Sequence, residues 1–194
     1  MDKLNRSDLY SLEKYAEIRG DMRAEAMAHK KNRRLPIGPH VTLYFEDRLT
    51  IQYQIQEMLR IEKIFEAGEI EEELKAYNPL IPDGGNWKAT MMIEFEDKVE
   101  RAAQLAKMVD IENTVWLRIN DCEKIYPVAD EDLERSTLDK TSAVHFLRFE
   151  LTNEMAGKLK QGADLFAGVD HKSYAYTVEP VPANIREALS KDLD

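Results

Sequence analysis

Cysteine is almost missing from this chain: Cys122 stands alone among 194 residues. A single thiol excludes an intrachain disulfide, and it excludes an iron–sulfur cluster held by cysteines of this chain alone. Long apolar runs are missing too, and none approaches the ~20 residues that a membrane-spanning helix needs. The polar start Met1-Asp2-Lys3-Leu4-Asn5-Arg6 carries no readable signal peptide, so the expected setting is a reducing cytoplasm, with no membrane partner. Internal repeats and low-complexity linkers are absent. So are the short motifs that announce common chemistries. There is no His-Glu-x-x-His, Glu-x-x-His or cysteine pair for a metal. No Gly-x-Ser-x-Gly elbow supports a serine nucleophile. No Gly-x-Gly-x-x-Gly or Walker loop supports a nucleotide.

What is present suffices for a folded domain. Apolar residues make up 43% of the chain and charged residues 33%, a balance that builds a core and argues against disorder. A length of 194 residues suits one domain spanning 1–194. The net charge of −10 speaks against bulk attraction to nucleic acid. One basic island, His29-Lys30-Lys31-Asn32-Arg33-Arg34, interrupts the acidic background. It has no interleaved aromatic platform, so nucleic-acid binding through it is the less favoured use.

Periodicity places the elements. Ser7 is a plausible cap for a first helix that stops or kinks at Gly20-Asp21, and a second helix is expected over 21–34. Pro36 and Pro39 end it. Residues 40–46 alternate, with Val41, Leu43 and Phe45 on one face and His40, Thr42, Tyr44 and Glu46 on the other, as in a half-buried strand. Residues 47–67 carry the strongest helical pattern, ending at Gly68, and a short acidic helix follows over 69–76. After a Pro- and Gly-rich loop, strands are expected over 88–95, 115–120, 123–128, 143–151 and 173–181. Helices are expected over 97–109, 152–163 and 183–193. The fold class is therefore α+β: a mostly antiparallel sheet of about six strands, covered by helices, with a helix-rich N-terminal third.

Functional sites are sought where local rules are broken. In the 47–67 helix, Ile51, Ile55, Met58, Leu59 and Phe65 form an apolar stripe, and Glu62 falls inside it. A buried carboxylate has to be paired, protonated or metal-bound, unless the helix end lets it reach water. Arg60 lies on the flank, and Glu57 on the opposite, solvent side. In the second helix, Met22, Ala26, His29 and Arg33 share a face. The two cations are thus drawn toward Glu46, Glu62 or an anionic ligand, or else snorkel at a helix end. The candidate catalytic residues are accordingly Glu62, His40 and Glu46, and the candidate anion-binding residues are His29, Arg33 and Arg60. A bound metal, the one cofactor in question, would draw on His29, His40, Glu46 and Glu62. His145 reads as a satisfied core histidine, His171 as a surface turn residue, and 130–134 as a solvated acidic face. The Asp83-Gly84-Gly85-Asn86-Trp87-Lys88 loop is either a tight connection or a ligand cradle with Trp87 as a stacking surface.

Several longer segments carry a resemblance. They are Ala28-His29-Lys30-Lys31, Gly38-Pro39-His40, Phe45-Glu46-Asp47-Arg48, Gln54-Ile55-Gln56-Glu57-Met58-Leu59-Arg60, Tyr77-Asn78-Pro79-Leu80-Ile81-Pro82, Asn86-Trp87-Lys88-Ala89-Thr90, Lys140-Thr141-Ser142-Ala143-Val144-His145-Phe146-Leu147-Arg148-Phe149 and Gly168-Val169-Asp170-His171. Through them the chain resembles, over nearly its whole length, an uncharacterised bacterial family, a domain of unknown function. The resemblance implies genes lying beside those for rubrerythrin, a di-iron peroxide-handling protein, and for a cysteine-rich iron–sulfur protein. It implies those two as partners, and no catalytic residues carry over from it. Two readings follow. One is an accessory or interaction protein in a rubrerythrin-linked oxidative-stress or electron-transfer system. The other is an enzyme or sensor with a buried Glu/His/Arg site for a metal or a small anionic ligand.

Overall fold

Alternating apolar residues build two antiparallel sheets, and both donate their inner faces to one core. The computed structural model describes residues 2–194. In chain order the elements are α1 (Leu12–Lys30), β1 (Arg34–Ile37), β2 (Val41–Phe45), α2 (Arg48–Glu62), α3 (Ala67–Tyr77), β3 (Asn86–Ile93), α4 (Lys98–Lys107), β4 (Val115–Ile119), β5 (Val128–Ala129), β6 (Val144–Glu150), α5 (Asn153–Lys160), β7 (Leu165–His171), β8 (Tyr174–Val178) and α6 (Ala183–Ser190). One sheet has the order β1-β2-β3-β6-β5 and the other β4-β7-β8. The α+β class with antiparallel pairing is as expected. The strands number eight in two sheets, where periodicity counted about six in one.

In β3, Trp87, Ala89, Met91 and Ile93 are buried while Lys88, Thr90 and Met92 stay half-buried, the period of two that a strand imposes. The register sets Trp87 beside Phe149 on the inner face and Lys88 beside Arg148 on the outer one. Phe45, Trp87 and Phe149 meet Leu117, Leu165 and Ala167 of the second sheet, and Leu159, Ile185 and Leu189 of α5 and α6 complete this core. The N-terminal helices form clusters of their own. Ile51, Ile55 and Leu59 pack with Leu74 and Ile81, while Tyr15, Met22 and Ala26 pack with Tyr53.

Several boundaries move from their expected places. The first helix begins at Leu12, capped by the Ser11 hydroxyl, and Ser7 lies in a short 3-10 turn before it. It runs unbroken through Gly20, which sits in open space where a missing side chain costs no packing. It ends at Lys30, and residues 34–37 become an edge strand. An edge position tolerates Pro36, because one side of such a strand makes no ladder bonds. Helix α2 stops at Glu62, short of the expected 67. Lys63 takes the left-handed conformation (φ 57°), and the Ile64 N–H bonds the Leu59 carbonyl at 2.9 Å. No helix among the described residues is long and apolar enough to cross a membrane.

Candidate functional site

A groove of about 620 Å³ lies between α2, α3 and the outer face of β3 and β6. Met58, Tyr77, Leu80 and Phe146 make much of its lining, and charged groups ring them. Strand pairing aims Lys88 and Arg148 to the same side. Burial holds the Lys88 amine below its usual range, partly opposed by Asp83, and the amine donates to the Pro79 carbonyl. Arg148 is clamped by Glu131, with both contacts at 2.7 Å, and by Glu150. Those hydrogen bonds from Arg148 lower the Glu131 carboxyl. Glu46, just past β2, is buried on the groove wall. Its two oxygens accept from the Thr50 hydroxyl (2.6 Å) and the Thr90 hydroxyl (2.9 Å).

Behind this wall, His29 and Arg33 come together. His29 Nε2 lies 2.5 Å from Asp47 Oδ2, and Arg33 Nη1 lies 3.3 Å from the same oxygen. Arg33 also donates to the carbonyls of Phe45 (3.0 Å) and Glu46 (3.2 Å) and pairs with Asp192. Asp47 caps α2 through the Thr50 N–H at 2.9 Å. Arg33 is only 2% exposed, so the basic island loses one of its charges to the interior. Its acceptors are protein carboxylates and carbonyls, which fill the donors that an anionic ligand would need.

The other expected site residues lie elsewhere. Glu62 is exposed, because α2 ends there and the apolar stripe ends with it; Phe65 is exposed as well. Arg60 is exposed and comes no closer than 3.9 Å to Glu57. Glu57, expected in solvent, instead accepts from Tyr15 (2.6 Å) and Arg19 (2.8 Å). His40 stacks on Phe95 at 3.9 Å, with Nδ1 2.9 Å from the Glu94 carbonyl. It stands at the opposite end of β2 from Glu46, about 20 Å away at the usual strand rise. His29, His40, Glu46 and Glu62 therefore do not gather into a metal-holding group. Trp87 is fully buried and donates to the Leu189 carbonyl at 2.9 Å, so it offers no stacking surface. The loop before it is a tight connection that bonds the C-terminus, Asp194 N–H to the Gly84 carbonyl at 3.0 Å. His171 is buried at the end of β7, with Nε2 3.0 Å from the Val109 carbonyl and Nδ1 accepting from Ser173.

One convergence was not foreseen. His145 of β6 is fully buried, with Asp130 at Nδ1 (2.6 Å) and Thr141 (2.8 Å) and the Ser142 carbonyl (3.1 Å) at Nε2. Glu112, 5% exposed, stands 3.9 Å from Nε2 and accepts from the Ser136 hydroxyl at 2.5 Å. Glu112, Asp130 and His145 are the group whose ligand atoms lie close enough to hold a metal among the described residues. The signal in the sequence was His145 itself, a polar ring on the apolar face of Leu147 and Phe149 that had to find partners. Asp130 follows β5 in an irregular segment and Glu112 lies in a single 3-10 turn, Ile111–Thr114, both too short for periodicity to give a direction. Asp130 thus leaves the solvated acidic face to which its neighbours belong.

The comparisons with known proteins agree with this architecture. A crystal structure at 1.90 Å resolution, described as a novel protein of unknown function from Burkholderia pseudomallei K96243, is similar at 50% identity over the whole of both chains, with a TM-score of 0.94. None of the curated proteins matches the chain. The family model described as "Protein of unknown function (DUF3501)" matches residues 3–193, and the chain belongs to that family.

Proposed function

We propose that this protein is an accessory, partner-binding protein of a rubrerythrin-linked oxidative-stress or electron-transfer system, and that the groove between α3 and β6 is its docking surface. The observation that carries the docking surface is the groove's make-up. An apolar floor of Met58, Tyr77, Leu80 and Phe146 is ringed by Glu73, Glu131, Asp132, Lys88 and Arg148. That pattern of apolar centre and charged rim is typical of an interface. Three of the rim charges are held in ion pairs, Arg148 with Glu131 and Glu150 and Asp132 with Arg135, which suits recognition better than proton transfer. The identity of the partner rests on the family resemblance, which implies a rubrerythrin-like protein and an iron–sulfur protein. The test uses the purified chain and a purified rubrerythrin-like neighbour at low and high salt. Binding that weakens with salt and is lost in Phe146→Ala and Arg148→Glu supports the reading. Absence of binding at low salt removes it.

A second reading is favoured by the groove's size, which lies within the ~300–1,000 Å³ of small-molecule sites. In it, a small ligand with an apolar body and an anionic end lies on Phe146 and faces Lys88. Thermal shifts with small aromatic and aliphatic carboxylates, abolished by Lys88→Met, would support it. A panel that leaves the melting temperature unmoved would count against it.

A further inference from the structure

We propose that Glu112 and His145, with the Thr141 hydroxyl and the Ser142 carbonyl, form a site for a divalent transition-metal cation, and that Asp130 orients the His145 ring for it. The argument is a count of protons. Asp130 Oδ2 lies 2.6 Å from Nδ1 and, as a carboxylate, only accepts, so Nδ1 carries a hydrogen. Nε2 then turns its lone pair toward Thr141 Oγ1 at 2.8 Å, the Ser142 carbonyl at 3.1 Å and Glu112 Oε2 at 3.9 Å. The Ser136 hydroxyl donates to Glu112 Oε1 at 2.5 Å. One remaining hydroxyl proton, that of Thr141, is shared by Nε2 at 2.8 Å, Ser136 Oγ at 2.9 Å and Glu112 Oε2 at 3.4 Å, while the Ser142 carbonyl faces Nε2 at 3.1 Å. Unless Glu112 itself carries a proton, a positive centre belongs among them, either a second ring proton or a metal ion.

Glu112 decides between the two. It is a buried carboxylate, and among the described residues no lysine or arginine lies within ion-pair distance of it. Asp130 differs, since Arg135 Nη1 stands 3.4 Å from Oδ1 and the Phe146 N–H donates at 2.9 Å. Asp130 is therefore already neutralised and serves the ring, the arrangement in which a carboxylate holds one histidine nitrogen so that the other can bind a metal. A proton on Nε2 would leave Glu112 3.9 Å from the ring and held by the Ser136 and Thr141 hydroxyls alone, whereas an ion between them bonds both the ring and the carboxylate. Of the spacings around Nε2, the Ser142 carbonyl at 3.1 Å already fits, while Thr141 at 2.8 Å has to open and Glu112 at 3.9 Å has to close by a few tenths of an ångström. Two ligands each about 2.1 Å from one ion stand roughly 3.0 to 3.5 Å apart. One imidazole with carboxylate, hydroxyl and carbonyl oxygens suits zinc or manganese better than a thiophilic ion. A cavity of about 370 Å³ lined by Glu112, Asp130, Arg135 and Ser136 reaches the carboxylate side of the group, and His145 is not part of its lining.

The test uses the full chain without a histidine tag, stripped by a chelator and titrated calorimetrically with Zn²⁺ and, separately, Mn²⁺. Histidine ring nitrogens are followed by long-range ¹H–¹⁵N spectra in the Zn²⁺ arm. The expected result is one equivalent of at least one of the two ions. Asp130→Asn should weaken binding about 10- to 100-fold, and Glu112→Gln should weaken it at least as much. In the Zn²⁺ arm, Nε2 should shift to a coordinated position while Nδ1 keeps its proton. If neither ion binds, or if Zn²⁺ binds while His145 keeps protons on both nitrogens, the proposal is overturned. It is equally overturned if Glu112→Gln binds the metal as the parent does. The spectra of the unsubstituted chain keep the test decisive should a variant fail to fold.

Discussion

The Arg33 guanidinium closes on the Asp192 carboxylate across 159 positions of the chain, with Nη1 3.2 Å from Oδ1 and Nη2 on Oδ2. Both side chains are almost wholly buried, at 3% and 4% exposed. The contact ties the end of α1 to the turn after α6, beside the bonds from Asp194 to Gly84 and from Trp87 to Leu189. Removing one partner strands a buried charge, which costs about 3–5 kcal/mol, while replacing both with apolar groups costs far less. Urea unfolding should therefore show Arg33→Met losing about that much stability and Arg33→Met/Asp192→Leu recovering only part of it, because Asp47 and the Phe45 and Glu46 carbonyls still lack their donor. A single variant within about 1 kcal/mol of the parent would mean that the pair does not anchor the C-terminus.

Glu57 contributes to the acid limb of the stability curve. Hydrogen bonds from Arg19 bring its carboxyl from 4.5 down to about 2 against the opposing effect of burial, and the Tyr15 hydroxyl assists. A folded value below the unfolded one means that the folded state binds fewer protons. The stabilisation is present above 4.5 and is lost as pH falls toward 2. Asp192 runs the other way, since burial raises its carboxyl above 3.8. Its contribution is present below 3.8 and fades as pH rises through the raised value. Glu57→Gln should cost about 1.5–3 kcal/mol near neutral pH and flatten the acid limb. Denaturation followed from neutral to acid pH checks this, and an equally steep acid loss in the variant would contradict it.

What was legible depended on whether a feature repeats along the chain. The alternation of Val41, Leu43 and Phe45 announced β2, and the burial of those three follows it. His29 and Arg33 both reach Asp47, but a shared helical face does not account for it, because α1 ends at Lys30 and Arg33 lies beyond the helix. Glu62 failed for a local reason: a single left-handed residue, Lys63, ended the helix before its stripe was complete. Nothing in a helical projection anticipates a lysine in that conformation. Asp130, Glu112 and Asp192 escaped because their partners are set by tertiary contacts from turns and irregular segments, where no period assigns a direction.

Gly168 leaves the space beside it to the ring of Trp116, its partner across the β4–β7 pairing. The Trp116 ring lies flat on it, so an added Cβ would fall 2.4 Å from Cζ2. Lys124 covers the other side of the ring, with its amine 4.1 Å from the centroid. The ring cannot retreat without displacing that lysine. Gly168→Ala should therefore cost about 1–3 kcal/mol, the usual range for overpacking. The displaced indole should also change its fluorescence emission. A variant of parental stability and unchanged emission would show that the ring yields freely.

Lys63 holds a conformation that glycine adopts at no steric cost. Its φ of 57° closes α2, and its own N–H bonds the Leu59 carbonyl. A left-handed residue with a Cβ costs roughly 1–2 kcal/mol, and the greater chain entropy of unfolded glycine returns roughly 0.5–1 kcal/mol of that gain. Lys63→Gly should therefore raise stability by about 0.5–1 kcal/mol. The side chain is exposed, so little packing is forfeited. Lys63→Ala serves as the control, because alanine bears the same strain and should gain nothing. Urea midpoints of the three proteins decide the matter. A glycine variant no more stable than the alanine one would show that the left-handed turn is held by neighbouring contacts and carries no relievable strain of its own.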